Sequence, residues 1–446
     1  MNQRSMWIAV AAVLASATAY ADVISPAPAI DLSAAAVNPN LFSITVGCPW
    51  VQGIDADNRN TGFPDKAATY YTTTIPLNPK PGTEIEIRGG YPKVRYFSLQ
   101  SYDGFRPGNL IDSLPDALIQ SDQGNAPQAN AAVLPDSGDY QYRYNAKIKY
   151  EDKPATTADR EPNTLYVGHG STHGAFVKNI VFRAYLPNPG VARPGPEELP
   201  HMVQVGPDGE IDFENTPDQA ACKLNDRLQR SVSVFPALGG SDSSLSFDPV
   251  TQGDTAGFYP NGDAYYLRAR PGRNYSDMVV VRLKSPQVPA VPPEVVDDPE
   301  VRFWSICQYT NIHSSVVDCI ADRNAALDAD GYANIVISTE GKKPDLASSA
   351  QGYDWLPWGD SSTAMVGLRQ LLVRPDFAGS YGRAVAEPEK PIAETLGEWA
   401  PEISYCDSVT FAATAAQGGA ALMAACKAAF VPLWSMLGTV LGDWLN

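Results

Sequence analysis

The alternation of apolar and polar residues predicts a chain built mainly from β-strands. From Phe42 onward, short runs that alternate or contain β-branched residues are separated by Pro, Gly, Asn and Asp, a pattern typical of strands joined by turns. Residues 70–75, 83–87 and 140–150 are the clearest examples. With 38 prolines and 35 glycines in the chain, most connections must be turns, which favours β-sandwiches or barrels over alternating α/β layers.

Helical spacing is confined to a few segments. Residues 218–230 place several apolar side chains on one helical face. Near the C-terminus, residues 410–430 are rich in alanine, and residues 432–445 begin with a proline and carry an apolar face. We predict that the C-terminal helices dock on the sheets. A membrane-surface anchor is the alternative, and the lack of Lys and Arg in residues 432–445 disfavours it.

The two halves of the chain carry the same elements in the same order. Residues 94–99 read VRYFSL and residues 301–306 read VRFWSI, and a tyrosine follows each run, Tyr102 or Tyr309. Each half then has an Asp- and Gly-rich turn before a β run, an aromatic turn, and a strand that contains arginine and leads to proline. These are residues 136–140, 163–168 and 180–187 in the first half and 328–337, 354–359 and 366–375 in the second. This repetition predicts two related β modules that pack side by side.

These residues also carry a family resemblance. The second half resembles the bacterial module known as domain of unknown function 1214, through Arg302 to Ser305, Tyr309, Asp330-Gly331, Trp355-Leu356-Pro357 and Arg369. The first half resembles exported proteins of unknown function from actinobacteria and fungi, through Phe63-Pro64-Asp65, Ala68-Thr69-Tyr70, Gly90-Tyr91-Pro92 and Arg95-Tyr96. The chain departs from the module at Trp358-Gly359. The resemblance implies a jelly-roll-like β-sandwich and no agreed activity.

We therefore expect a mainly β fold of two jelly-roll-like β-sandwich modules in tandem, with a few short helices that include C-terminal helices. The prolines of residues 285–299 favour an extended spacer between the modules. The predicted segments are a signal peptide (1–21), a mobile leader (22–40), a first β-sandwich module (41–284), a Pro-rich linker (285–299), a second β-sandwich module (300–406) and a C-terminal helical segment (407–446).

The N-terminus predicts export. A positively charged start, a short apolar run over residues 6–19 and the small-residue site Ala19-Tyr20-Ala21 form a secretory signal peptide. The run is too short to span a bilayer as a mature helix, so we expect no transmembrane helix in the mature chain and a periplasmic or extracellular location. The net charge of -17 disfavours a nucleic-acid partner, because that binding rests on basic contacts to phosphate. A small molecule, a glycan or another protein remains as the expected partner.

Six cysteines in an exported chain predict disulfides. We predict Cys307–Cys319 and Cys406–Cys426, because cysteines that are close in sequence meet easily. Cys48–Cys222 follows by elimination. A zinc site is the competing interpretation, but no C-x-x-C spacing supports it.

Two histidines four residues apart, His169 and His173, are candidate metal ligands, and Ser171 lies between them. Three glycines in this stretch predict a solvated loop, in which a spacing of four has no fixed geometry. Ser171 and His173 are also the candidate nucleophile and base of a hydrolase. No Gly-x-Ser-x-Gly motif is present and no orienting third group can be identified, so the sequence offers no complete catalytic set.

Asp55 and Asp57 begin a run of oxygen-bearing side chains that resembles the start of a calcium loop. Arg59 occupies a ligand position and no glutamate closes the loop, so a turn rich in Asp, Asn and Gly is the favoured interpretation. No cofactor other than calcium is suggested by the sequence.

Arg95 and Arg302 occupy equivalent places in the repeat. One interpretation is that they bind a carboxylate or phosphate at the module interface. The other is that each is buried beside an aromatic ring and paired with an acid such as Asp103. The second is favoured, because a constraint of the fold explains the repetition more simply.

Tyr102 and Tyr309 accompany these arginines as candidate ligand-binding residues. Trp355 and Trp358 belong to the tightest aromatic cluster and could stack on a sugar, although aromatic residues are equally expected in a sandwich core. We predict an exported protein that binds a ligand or partner at the module interface or on exposed aromatic residues. The alternative is a hydrolase with its site in the cleft between the modules.

Overall fold

The computed structural model describes residues 50–52, 55–57, 60–77, 81–104, 110–122, 143–170, 177–190, 199–212, 240–251, 259–289, 299–310, 314–345, 347–348 and 351–430. Several predicted features lie outside these ranges and stay predictions. They are the signal peptide and leader, the helices at 218–230 and 432–445, and the Cys48–Cys222 disulfide.

The first half of the described chain forms two sheets. Its strands are β1 (Val51–Gln52), β2 (Ala68–Pro76), β3 (Glu84–Gly90), β4 (Val94–Asp103), β5 (Leu110–Pro115), β6 (Arg143–Lys149), β7 (Thr164–Tyr166), β8 (Val177–Pro187), β9 (His201–Gly206) and β10 (Gly209–Asp212). One sheet has the order β1-β2-β8-β4-β5 and the other β10-β9-β3-β6-β7. Neighbouring strands are antiparallel except for the parallel pair β6 and β7.

The second half forms two further sheets in which the equivalent strands follow the same order, with no described counterpart of β10. Its strands are β11 (Asp248–Pro249), β12 (Ala264–Ala269), β13 (Met278–Lys284), β14 (Val301–Thr310), β15 (Val316–Ala321), β16 (Tyr332–Ser338), β17 (Asp354–Pro357), β18 (Ala364–Val373) and β19 (Glu402–Cys406). Their orders are β11-β12-β18-β14-β15 and β19-β13-β16-β17, and β16 and β17 are again parallel. The mainly β fold is thus confirmed, and the described strands repeat in the two halves as predicted. The Asp- and Gly-rich turn predicted at 136–140 lies outside the described residues. The jelly-roll-like form stays a prediction.

The border between the halves differs from the predicted one. β12 and β13 lie within the predicted first module, yet they pair with β18 and β16 of the second half. The pairing therefore places the border between Asp212 and Asp248. The described part of the Pro-rich segment connects β13 to β14 inside one sandwich, and the backbone N–H of Val301 donates to the carbonyl of Gln287. Proline content alone cannot distinguish a linker between domains from a connection within one.

Each pair of sheets encloses an apolar core. In β4, Phe97 and Leu99 point into the first core together with Ile87 and Tyr144 from the opposite sheet. In the second half, the equivalent strand β14 contributes Trp304 and Ile306 to a similar core. Successive side chains of a strand point to opposite faces, so these strands have a second face to cover.

The second faces of β4 and β14 are buried because the two sandwiches pack against each other. The sheet β1-β2-β8-β4-β5, here called the first central sheet, contacts the sheet β11-β12-β18-β14-β15, here called the second central sheet. At this central interface, the rings of Tyr185 and Phe303 meet edge to face with centroids 5.6 Å apart. β4 is therefore buried along its whole length, polar residues included.

Helices follow the second sandwich. They are α1 (Tyr381–Ala386), α2 (Ile392–Leu396), α3 (Ser408–Thr414) and α4 (Gly419–Ala429). Single turns of 3-10 helix occur at Asp116–Leu118, Thr157–Asp159, Asp322–Asn324, Glu340–Lys342, Gly397–Trp399 and Ala415–Gln417. α3 and α4 pack on the outer face of the sheet that contains β13, as the sequence predicts for residues 410–430. Among the described helices, none combines the length and apolar character needed to cross a bilayer.

Two of the predicted disulfides are confirmed. Cys307–Cys319 links residues that face each other on β14 and β15. Cys406–Cys426 joins the end of β19 to α4. The second bond fixes the C-terminal helices to the second sandwich.

The start of α3 permits a test of stability against pH. The Asp407 carboxylate accepts hydrogen bonds from the backbone N–H groups of Val409 and Thr410. The bond from Thr410 is the main cause that holds the pKa of Asp407 below its ordinary value of 3.8. The cap therefore stabilises the fold above about pH 4 and loses its effect as the pH falls through the lowered pKa.

We expect Asp407→Ala to lower the free energy of unfolding by about 1 kcal/mol at pH 7. Urea unfolding followed by circular dichroism at pH 7, 5 and 3 would measure this loss. The difference between the variant and the wild type should shrink at the lowest pH. A difference that stays constant from pH 7 to pH 3 would contradict a role for the ionised cap.

Candidate ligand site between the sandwiches

In each sandwich, the segment before the second strand crosses the central interface and contacts the other sandwich. Residues 63–65 read Phe-Pro-Asp and residues 259–261 read Tyr-Pro-Asn, at equal distances ahead of β2 and β12. In both segments the last residue accepts a hydrogen bond, through its side-chain oxygen Oδ1, from the backbone N–H two residues later. Its own N–H donates to the hydroxyl of Tyr70 or Tyr266. Two equivalent Asx turns therefore face each other across the interface.

The aromatic residue of each segment packs against the opposite sandwich. The ring of Phe63 meets the ring of Tyr309 edge to face with centroids 5.3 Å apart. The ring of Tyr259 meets that of Tyr102 in the same way at 4.8 Å. The exchange is reciprocal, so the interface has approximate two-fold symmetry built from one chain.

Two equivalent arginines hold the crossing segments. Arg369 of β18 donates from Nη2 to the hydroxyl of Tyr309 and to the carbonyl oxygen of Phe63. Arg183 of β8 donates from Nη2 to the hydroxyl of Tyr102 and to the carbonyl oxygen of Tyr259. Both arginines are buried. Each guanidinium is thus fixed in place by one sandwich and by the segment from the other.

A cavity of about 350 Å³ lies between the two central sheets around these arginines. Its described lining is mainly aromatic and apolar and includes Phe63, Tyr70, Tyr185, Tyr259, Tyr266 and Met365. Arg183, Arg268 and Arg369 also line it, and no acidic residue does among the described residues. The cavity therefore combines an apolar wall with positively charged groups.

The two halves of the site differ in one residue. Asp65 is fully buried, forms an ion pair with Arg369 at 3.1 Å (Oδ2 to Nε) and accepts a hydrogen bond from Ser305. The equivalent residue beside Arg183 is Asn261, which carries no charge. Arg369 has a direct counter-ion that Arg183 lacks among the described residues.

The orientation of the Asn261 amide is fixed by its neighbours. Its Oδ1 accepts from the backbone N–H of Asp263 at 3.0 Å and from Nε2 of Gln100 at 2.5 Å. Turning the amide over would place an N–H group against these donors. Its Nδ2 is consequently buried without a hydrogen-bond partner among the described residues, and Nε of Arg183 is in the same state.

Asp263 is close enough to Arg183 for the arginine to influence its pKa. The hydrogen bonds that its carboxylate accepts among the described residues, however, come from other residues. Oδ2 accepts hydrogen bonds from the hydroxyls of Ser113 at 2.6 Å and Tyr96 at 2.7 Å. Burial raises the pKa of Asp263, and these hydrogen bonds together with the charge of Arg183 oppose the rise. Burial also raises the pKa of Tyr266 to about 12, so this phenol is neutral at pH 7.

Arg95 and Arg302 lie at the central interface but form ion pairs. Nη1 of Arg95 donates to Oδ1 of Asp322 at 2.5 Å, and Nη1 of Arg302 donates to Oδ2 of Asp116 at 3.1 Å. Each pair joins one sandwich to the other. The observed arrangement is thus the buried pair rather than the ligand-binding interpretation. The acid is not Asp103, which accepts from Lys178 at 2.9 Å instead.

The aromatic candidates divide between the cavity and the core. Tyr309 lines the cavity, and Tyr102 contacts Arg183 behind it. Trp358 is only 1 % exposed and belongs to the core of the second sandwich, so it cannot form an exposed platform for a sugar. Trp355 is half-buried and donates from Nε1 to the hydroxyl of Ser338 at 3.0 Å.

The described residues do not assemble the predicted metal site or the predicted hydrolase site. His169 is exposed, and Ser171 and His173 lie outside the described residues, so the hydrolase alternative stays a prediction. The backbone N–H of Asp57 donates to Oδ1 of Asp55 at 2.8 Å, which is the hydrogen bond of the favoured turn. Within the described residues, one group of three ligand-type side chains converges: Asp65, Cys307 and Cys319. Its two sulfurs form a disulfide and are not thiolates.

In the sequence, Arg183 and Arg369 stand out only as parts of repeated strands. Their place in the site could not be predicted, because one arginine in a strand does not reveal which sheet face it occupies. A signal was present for the crossing segments. Phe63-Pro64-Asp65 matches Tyr259-Pro260-Asn261, and the match locates the change from Asp to Asn.

No protein-family model and no curated protein matches the chain, so the resemblance to domain of unknown function 1214 stays a prediction. Among solved structures, an uncharacterised protein from Burkholderia cenocepacia is similar over 79% of this chain and 89% of its own, with 13% identity and a TM-score of 0.46. The VPA0106 protein from Vibrio parahaemolyticus aligns over 77% and 90%, with 13% identity and a TM-score of 0.34. Similarities this weak assign no function to the cavity.

Proposed function

We propose that the chain is an exported protein that binds a small, partly apolar molecule in the cavity between its two β-sandwiches. The cavity itself carries the proposal. Its volume of about 350 Å³ and its aromatic and apolar lining with a few polar groups are typical of small-molecule sites, which often form between domains. The N-terminal pattern supports export, and so do the two disulfides, since such bonds persist in oxidising compartments.

A neutral fluorescent probe tests the cavity without any assumption about charge. We expect N-phenyl-1-naphthylamine to bind the purified mature protein saturably at one site, with an increase in fluorescence. Ala264 is half-buried, lines the cavity and packs on the apolar cluster between the sheets. Ala264→Phe should therefore fill part of the cavity and weaken probe binding by tenfold or more, a loss of about 1.4 kcal/mol.

The matched control is Ala412→Phe, which adds the same side chain to an exposed position of α3 and should bind the probe as the wild type does. Thermal unfolding of both variants would show that they fold. Equal probe binding by Ala264→Phe and the wild type, or no binding by the wild type, would contradict the proposed site.

A further inference from the structure

We infer that the molecule bound in the central cavity carries a carboxylate, and that Arg183 and Asn261 bind this group. The inference rests on the proposed function, because it names the chemical class of the ligand in that same cavity. The two halves of the site differ in one residue, which is Asp65 beside Arg369 and Asn261 beside Arg183.

The surroundings of Arg369 show what Arg183 lacks. In the Arg369 half, Nε is satisfied by Oδ2 of Asp65 at 3.1 Å. In the Arg183 half, the equivalent side chain ends in an amide whose Nδ2 has no partner among the described residues, and Nε of Arg183 also has none. The same fold therefore places an acceptor oxygen beside Nε of Arg369, whereas among the described residues the equivalent position beside Arg183 holds an amide nitrogen, which cannot accept. A ligand carboxylate supplies the missing oxygen.

Two other buried polar atoms, on residues that line the cavity, support this assignment. The hydroxyls of Thr72 and Tyr259 are buried and lack hydrogen-bond partners among the described residues, and both residues line the cavity together with Arg183 and Asn261. A buried polar group without a partner costs about 1–3 kcal/mol, so four of them on residues that line one cavity are unfavourable unless a ligand supplies their partners. A carboxylate has two oxygens with about four acceptor positions, which suits this set of donors.

Charge and shape select the class of acid. Arg183 lines the cavity without a direct counter-ion among the described residues, and no acid is part of the described lining, so a negative group is favoured there. Nη2 of Arg183 is held by Tyr102 and by the carbonyl oxygen of Tyr259, so its guanidinium is already in position before a ligand arrives. The remaining wall is aromatic and aliphatic, and it fits an aryl or alkyl body rather than a sugar. A monocarboxylate with an apolar body meets both requirements.

A pair of nearly isosteric compounds tests the inference on the wild-type protein. Naphthalene-1-acetate and naphthalene-1-acetamide would compete with N-phenyl-1-naphthylamine, and calorimetry would measure each compound directly. We expect the carboxylate to bind at least tenfold more tightly, because hydrogen bonds to an ionised acceptor are stronger than those to a neutral one. Equal affinities would overturn the carboxylate while leaving the cavity intact. Failure of the neutral probe itself would overturn the proposed function.

Two variants test the named residues. Asn261→Asp gives Arg183 the resident carboxylate that Asp65 gives Arg369, so the fold already contains this arrangement. The preference for the carboxylate over the amide should fall from at least tenfold to about onefold. Arg183→Gln should have the same effect and serves if Asn261→Asp fails to fold, which thermal unfolding would reveal. A preference that survives in a folded form of either variant would overturn the roles of Arg183 and Asn261.

Discussion

Replacing Asp322 with asparagine is expected to lower the free energy of unfolding by about 3–5 kcal/mol. The side chains of Asp322 and Arg95 are 1% and 6% exposed, so the variant leaves a buried guanidinium without its counter-ion. Oδ2 of Asp322 also accepts from the backbone N–H of Trp304 at 3.0 Å. This bond holds β14 at the point where Trp304 enters the core of the second sandwich. Urea unfolding followed by tryptophan fluorescence and circular dichroism would measure the loss.

Two further variants decide whether burial of the charge is the cause. Asp376→Asn breaks an exposed pair with Arg374, in which the aspartate is 77% exposed, and should cost at most about 1 kcal/mol. The double change Arg95→Met with Asp322→Leu removes both charges and should recover most of the lost stability, since apolar pairs can replace buried ion pairs. A loss below 1 kcal/mol for Asp322→Asn would mean that the pair does not hold the sandwiches together.

The reciprocal ion pairs explain how two repeats become one interface. Arg95 reaches Asp322 in the second sandwich, and Arg302 reaches Asp116 in the first. Each aspartate opens the 3-10 turn that follows the fifth strand of its sandwich. One repeated set of residues thus stabilises both sides of the same contact, as in a symmetric dimer, where an interface residue and its partner appear twice.

The repeat was the part of the fold most open to prediction. Residues 94–99 and 301–306 occupy equivalent strands, β4 and β14, and the arginine strands became β8 and β18. Segments with similar sequences in the same order adopt similar structures, so the repeat could be predicted without knowing in which sheet each strand lies. The sheet orders could not be predicted, because strand alternation reports which face is apolar and not which strand is the neighbour.

The site was largely hidden for a related reason. Alternating polar residues in an antiparallel strand usually face water, yet Ser98 and Gln100 of β4 are fully buried because the second sandwich covers them. The burial of Arg183 depends on the same contact, which joins residues far apart in sequence. Tyr102 and Tyr309 could be placed at the interface from the repeat alone, since equivalent positions of two packed modules tend to meet. Trp358 carried no such signal and belongs to a core.

Replacing Asp65 with asparagine is the second substitution for which we expect a large effect, a loss of about 3–5 kcal/mol in the free energy of unfolding. Oδ2 of Asp65 accepts from Nε of Arg369 and from the hydroxyl of Ser305, and Oδ1 accepts from the backbone N–H of Ala67. An asparagine has one oxygen in place of two, so it can accept either the bonds made to Oδ2 or the bond made to Oδ1, because its NH₂ group cannot accept. The measurement is urea unfolding at pH 7.

The neighbouring pair provides the control. Lys66, which follows Asp65 in the sequence, forms a half-exposed ion pair with Asp318. Asp318→Asn breaks this pair and should cost at most about 1 kcal/mol.

The outcome for Asp65→Asn also bears on the ligand. A large loss would show that an asparagine is a poor partner for a buried arginine in this setting, so that Asn261 beside Arg183 is a position where a bound carboxylate would stabilise the protein. A loss below 1 kcal/mol would mean that either side chain suits either arginine, and the difference between the two halves would then carry no information about what the cavity binds.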